Sequence, residues 1–192
     1  MTEPTPELTA ARATALEDAF AAIDRGSMAD MPLRNDALAV EAISFRPWGL
    51  ERGPALLGIL VTPWCMNVML VPPTADDPAW ATLSGGEKES HGLPCGVVEF
   101  TAGAVDGFGP YLMCSLFSPV KEFADQPAAR LTAQLALEDL LTPPAEEIPP
   151  PAPTARRRGD GPAPSSAGGA DGLSRRSALG MARAPRGRDG GR

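Results

Sequence analysis

A break in composition at Thr142 sets the first limit on what this chain can fold into. Beyond it lie Pro149-Pro150-Pro151, a Gly/Pro-rich stretch over 159–164 and Gly168-Gly169. Such a segment has few side chains to bury against an ordering cost of about 1–2 kcal/mol per residue. The expectation is a folded domain over residues 5–142 followed by a disordered Pro/Gly/Arg-rich tail over 143–192. Charge divides at the same place. Residues 1–142 carry 19 acidic and 8 basic side chains, residues 143–192 carry 5 and 9, so nets of −11 and +4 make up the chain's −7.

That charge excludes some function classes. A domain at −11 is repelled by nucleic acid, and the basic tail has no interleaved aromatics on which bases could stack. The first residues hold Glu3 and Glu7 and no apolar run, so no signal peptide is read there. The longest apolar stretches, 55–61 and 68–71, are too short to span a bilayer. The expected setting is cytoplasmic, with no direct membrane insertion. Cys65, Cys95 and Cys114 are widely spaced and odd in number, which reads as reduced thiols. A structural zinc site would need all three to converge with His91. No metal or other cofactor is assigned.

The periodicity gives an α+β order. Thr5-Pro6-Glu7 supplies a cap hydroxyl, a first-turn proline and a first-turn carboxylate. Leu8, Ala15, Leu16, Ala19, Phe20 and Ile23 then recur at helical spacing, with Arg12 elsewhere around the helix, until Gly26. Strands are expected at 40–45, 56–62, 65–71, 96–102 and 111–117. The run 47–54 reads as a turn or short loop, and 73–93 as a loop with a helical turn at 80–83. Pro63 cannot donate to a ladder, so Thr62-Pro63-Trp64 reads as a bend that either projects Trp64 or turns it into the core. Asp106-Gly107 supplies hairpin-turn residues. Asp125 caps a last helix over 126–141, whose buried stripe is read as Leu131, Leu135 and Leu137 or Leu140. The fold class is thus α+β, an antiparallel β-sheet covered by an N-terminal and a C-terminal helix.

Catalytic chemistry has little support. His91 lies four residues before Cys95, so a Cys95/His91 pair is conceivable as nucleophile and base. Glu99 and Asp106 read as strand and turn residues. No phosphate loop or metalloprotease motif appears. What remains is a binding protein, not an enzyme, with an acidic surface suited to a cationic partner.

Three ordered motifs then coincide with a known pattern. Pro47-Trp48-Gly49 precedes Thr62-Pro63-Trp64; Leu93-Pro94-Cys95-Gly96 leads to Phe100; and Asp106-Gly107 precedes Tyr111-Leu112-Met113-Cys114-Ser115-Leu116-Phe117-Ser118-Pro119. The set resembles the HybE/HupJ/HoxT family of [NiFe]-hydrogenase assembly chaperones. The resemblance implies a chaperone that binds the hydrogenase small-subunit precursor, in some cases its twin-arginine signal peptide, alongside other hydrogenase maturation proteins. Some relatives are fused to a rubredoxin; the chain has no C-x-x-C pair, so that iron site is not carried over. The matched positions Pro63, Trp64, Asp106, Tyr111, Cys114 and Ser115 are taken as client-binding candidates. The resemblance leaves two other readings open, an accessory protein that protects or delivers iron–sulfur clusters, and a cysteine-dependent enzyme using Cys95 and His91.

The tail adds one feature. Ser174-Arg175-Arg176-Ser177-Ala178-Leu179 resembles the core of a twin-arginine signal without the apolar segment that should follow. Ser174, Arg175, Arg176 and Leu179 are therefore read as a weak internal mimic of the client.

Overall fold

The computed structural model describes residues 3–144. The mimic at 174–179 and all of the expected tail beyond Pro144 lie outside the described residues. Helix α1 (Pro6–Arg25) starts as its sequence dictates. Thr5 Oγ1 accepts from Leu8 N–H at 3.3 Å, Pro6 occupies the first turn, and Gly26 N–H closes the end on the carbonyls of Ala22 and Ile23.

Its buried row is Thr9, Arg12, Leu16 and Phe20, so two expectations are reversed: Leu8 is exposed, whereas Arg12 is only 7% exposed. Arg12 turns inward because two main-chain carbonyls need a donor there. Its Nε donates to Pro72 O at 3.0 Å, its Nη2 to Phe108 O at 2.9 Å, and its guanidinium stacks 3.6 Å from the Phe108 ring centroid. Burial pulls the Arg12 pKa below its ordinary value without neutralising the group.

Six strands follow: β1 (Glu41–Leu50), β2 (Gly53–Val61), β3 (Met66–Val71), β4 (Lys88–Leu93), β5 (Gly96–Val105) and β6 (Gly109–Phe117), then helix α2 (Gln126–Leu140). All pairings are antiparallel, in the order β1-β2-β3-β6-β5-β4. The expected α+β fold is the observed one. β2 and β3 are buried on both faces, which is why their sequences are almost continuously apolar instead of alternating.

One face packs under α1 with Leu16, Phe20, Leu56, Leu60, Trp64 and Tyr111. The other packs under α2 with Leu57, Ile59, Val68, Trp80, Phe100 and Ala133. No helix among the described residues is long and apolar enough to cross a membrane.

Three local expectations are corrected. Residues 47–50 belong to β1, not to a loop. A bulge at Ser44 (φ 55°) shifts the register between Ile43 and Arg46, and Pro47 is tolerated because β1 is an edge strand. Residues 88–93 form β4; Lys88-Glu89-Ser90-His91-Gly92 has no β-branched residue and becomes a strand only through pairing with β5. The α2 stripe is Ala129, Ala133 and Leu137, leaving Leu131 and Leu135 exposed. The turn expected at 80–83 is present, with Leu83 N–H donating to Trp80 O at 3.1 Å, and Trp80 is fully buried.

The outer edge of β1 is covered. Glu17 of α1 accepts from Ala42 N–H at 2.7 Å, Gln126 of α2 accepts from Ala39 N–H at 2.9 Å, and Arg130 pairs with Glu41 at 2.7 Å. Next to it, Gly58 is required by close packing. A Cβ there would meet the Phe45 ring at 2.4 Å. Gly58→Ala is expected to lower stability by about 2–3 kcal/mol through overpacking. Phe45→Leu in the same chain should recover part of the loss, as read from urea midpoints of the two singles and the double.

Candidate functional site

The candidate residues centre on the bend between β2 and β3. The Thr62 hydroxyl organises it, accepting from Trp64 N–H at 3.3 Å and Cys65 N–H at 3.0 Å and lying 2.9 Å from Cys65 O, to which it can donate. Asn35 fixes the bend to its surroundings. Its N–H donates to Pro63 O at 2.7 Å, and its amide donates to Val120 O at 3.0 Å and Phe123 O at 2.8 Å.

Pro63 is buried and Trp64 is only 8% exposed, so of the two readings of the bend the core-filling one holds. Its indole fills the core beneath α1, where removing apolar area from water outweighs presenting it to a partner. Tyr111 joins the same core. Its ring centroid is 5.8 Å from that of Phe20, and it lies across Gly103, where a Cβ would come within 2.6 Å of it. Burial, aided by the nearby Cys65, raises the Tyr111 pKa and keeps the phenol neutral.

Beside this buried pair the sheet face turns soft and accessible. Cys65 and Met113 are bridged by one amide, with Asn67 Nδ2 at 3.3 Å from Cys65 Sγ and 3.5 Å from Met113 Sδ. Burial raises the Cys65 pKa, so it sits as a thiol, not a thiolate nucleophile. Met113 lies across from Met69, and Ile23 at the end of α1 and Met28 and Met31 in the segment after it close over the same core. Four of the five methionines among the described residues therefore gather on this face, with Met28, Met31 and Met113 half-buried. Met66 alone points into the core under α2.

This sulfur-rich face was not legible beforehand. Met28 and Met31 stand in an irregular stretch, 82 or more residues from Met113 in sequence, and only the fold joins them.

The other candidates divide. Ser115 is exposed and pairs with Asn67 on the methionine side. Cys114, one residue earlier on a strand, points to the opposite face and packs against the core under α2. Burial and the charge of Glu99 raise the Cys114 pKa. Asp106 is exposed at the β5–β6 turn and makes no ion pair among the described residues. It stands at the mouth of a cavity of about 430 Å³ between that turn and the end of α1, lined also by Ala19, Ala22, Ile23 and Ala104.

Cys95 and His91 are not brought together as a nucleophile and base. His91 bonds Glu89 at 3.1 Å and meets the Phe100 ring edge-on, while the Cys95 N–H in the β4–β5 turn donates to Leu140 O at 3.1 Å. Among the described residues no three His, Cys, Asp or Glu side chains converge to hold a metal ion, and the three thiols are unbonded to one another.

The molecule so defined is an α+β domain with a two-sided core and one sulfur-lined face. Comparison with known proteins places it further. The family model described as "[NiFe]-hydrogenase assembly, chaperone, HybE" matches residues 11–179. The hydrogenase expression/formation protein HupJ of Bradyrhizobium diazoefficiens is 41% identical over 128 residues, covering 67% of this chain and 70% of that protein. HoxT of Cupriavidus necator is 39% identical over 160 residues, covering 75% of this chain and 84% of HoxT. The solution structure of HybE from Escherichia coli superposes with a TM-score of 0.54 at 26% identity, over 80% of this chain and 91% of that one. The chain belongs to the HybE family of [NiFe]-hydrogenase assembly chaperones.

Proposed function

We propose that this chaperone binds the precursor of the hydrogenase small subunit in the cytoplasm and contacts its twin-arginine signal peptide through the methionine face. The observation that carries the reading is the gathering of half-buried Met28, Met31 and Met113 over one core cluster, with the unpaired Asp106 at the β5–β6 turn lining a cavity against the end of α1. Thioethers are flexible and polarisable, so such a face moulds itself to apolar side chains of varied shape. A signal peptide is apolar and cationic by turns; the soft apolar shelf suits the first half, and the net charge of −11 over residues 1–142 suits the second. In this reading Pro63, Trp64 and Tyr111 support the shelf from beneath, Ser115 and Asp106 meet the client at its borders, and Cys114 belongs to packing on the far face.

The test is co-purification from cells making the hydrogenase. The precursor should co-purify with the full chain, and a precursor lacking its signal peptide should be retained at least tenfold less well. Equal retention of both forms would remove the signal peptide from the reading, and no retention of either would remove the precursor.

A further inference from the structure

The two edges of the sheet are treated differently. β1 is covered by Glu17 and Gln126, bulged at Ser44 and interrupted by Pro47. β4 has no such cover. Gly86 N–H donates to Ala102 O at 2.8 Å and Ala102 N–H to Glu87 O at 2.7 Å, which sets the phase of the β4–β5 ladder. Glu89, His91 and Leu93 then turn their backbone groups toward β5, and Lys88, Ser90 and Gly92 turn theirs outward. Those outward groups have no partner among the described residues. They open onto a cleft of about 580 Å³ whose far wall is the β1–β2 tip around Glu51 and Arg52. An uncovered row of donors and acceptors is a template for another strand.

We propose that the strand it takes is β4 of a second copy of this chain, antiparallel about Ser90. The self-pairing fits in three respects. In backbone phase, Lys88 meets Gly92 of the second copy, Ser90 meets Ser90, and Gly92 meets Lys88, so every outward group is matched.

In polarity, the intervening pairs set the Glu89 carboxylate directly across from the His91 imidazole of the second copy, twice over by symmetry. These are the closely spaced positions of an antiparallel pair, where side chains directly opposite interact. Within one chain both side chains already lie on the same side of β4, together with Arg52, which is ion-paired to Glu89.

In shape, Val97 is the most exposed large hydrophobic among the described residues, at 78%, and its cross-strand neighbour on β4 is Gly92, which covers none of it. The pairing lays the aliphatic stem of Lys88 from the second copy over that gap. The symmetry axis stands perpendicular to the joined sheet, so both methionine faces open on the same side and the pair is bivalent toward its client.

Sedimentation equilibrium of the full chain tests this. The mass should rise with concentration from 20.0 kDa toward twice that value. Ser90→Pro removes an outward N–H, which an edge strand tolerates, and should hold the chain at the monomer mass. Ser90→Cys provides a second reading that does not depend on the proline variant folding. The symmetric pair places the two Cα atoms about 5.5 Å apart, within disulfide range. Mild oxidation should therefore link Ser90→Cys chains at least tenfold faster than chains carrying Thr74→Cys at an exposed site away from β4. A chain that stays monomeric at all concentrations, a folded Ser90→Pro chain that still dimerises, or linkage no faster than the Thr74→Cys control would each overturn the proposal.

Discussion

Replacing Arg12 with alanine is expected to cost about 3–5 kcal/mol, a large share of the roughly 5–15 kcal/mol that holds a domain of this size together. The residue is buried, and its two hydrogen bonds are the side-chain bonds that join α1 to the end of β3 and to the β5–β6 turn. Without it the carbonyls of Pro72 and Phe108 lose those charged donors, and the Phe108 ring loses the cation stacked against it. A cavity the length of the side chain adds to the loss. Arg12→Met separates the packing contribution from the rest, because it keeps most of the packing volume and removes the donors and the charge. The expected order in urea midpoint is wild type, then Arg12→Met, then Arg12→Ala, at constant m-value. Midpoints within about 0.5 kcal/mol of wild type for both variants would show that α1 is held by its apolar row alone.

The sequence exposed those parts of the fold whose signals are local. Thr5-Pro6 and Asp125 mark the two helix starts because capping chemistry acts over three residues, and both caps form as read. Asp106-Gly107 announced the β5–β6 hairpin because Gly107 adopts φ 79° there. What stayed hidden depends on partners distant in sequence. β4 acquires its identity from β5, and Arg12 its inward turn from carbonyls 60 and 96 residues away.

α2 is the clearest case. Ala129, Ala133 and Leu137 repeat at the same spacing as Leu131 and Leu135, and hydrophobicity alone favours the leucines. The sheet beneath already presents Leu57 and Ile59, so the helix approaches on its small side and the leucines are turned out. In the candidate site, the bend at Pro63 was legible but the direction of Trp64 was not. Alternation along β6 separates Cys114 from Ser115, which a matched motif treats as neighbours.

The sulfur-lined face leads to the largest expected effect on binding. Exchanging Met28, Met31 and Met113 together for serine should weaken client binding about 100-fold. That corresponds to about 1 kcal/mol lost at each position, in line with removing a half-buried thioether from an apolar contact. The three side chains cover the core instead of filling it, since Leu16, Trp64 and Met69 beneath them are the fully or nearly fully buried members of the same cluster. The urea midpoint should therefore move much less than the affinity, and that separation distinguishes a binding role from a packing one. Leucine at all three positions gives the control. It keeps apolar area but removes flexibility and the polarisable sulfur, so it should retain affinity for a client whose shape happens to fit and lose tolerance of others. Isothermal titration with a series of signal peptides of differing apolar sequence reads both outcomes. Serine and wild-type chains binding every peptide alike would place the client elsewhere on the molecule, whereas a uniform loss with serine and a peptide-dependent loss with leucine would locate it on this face.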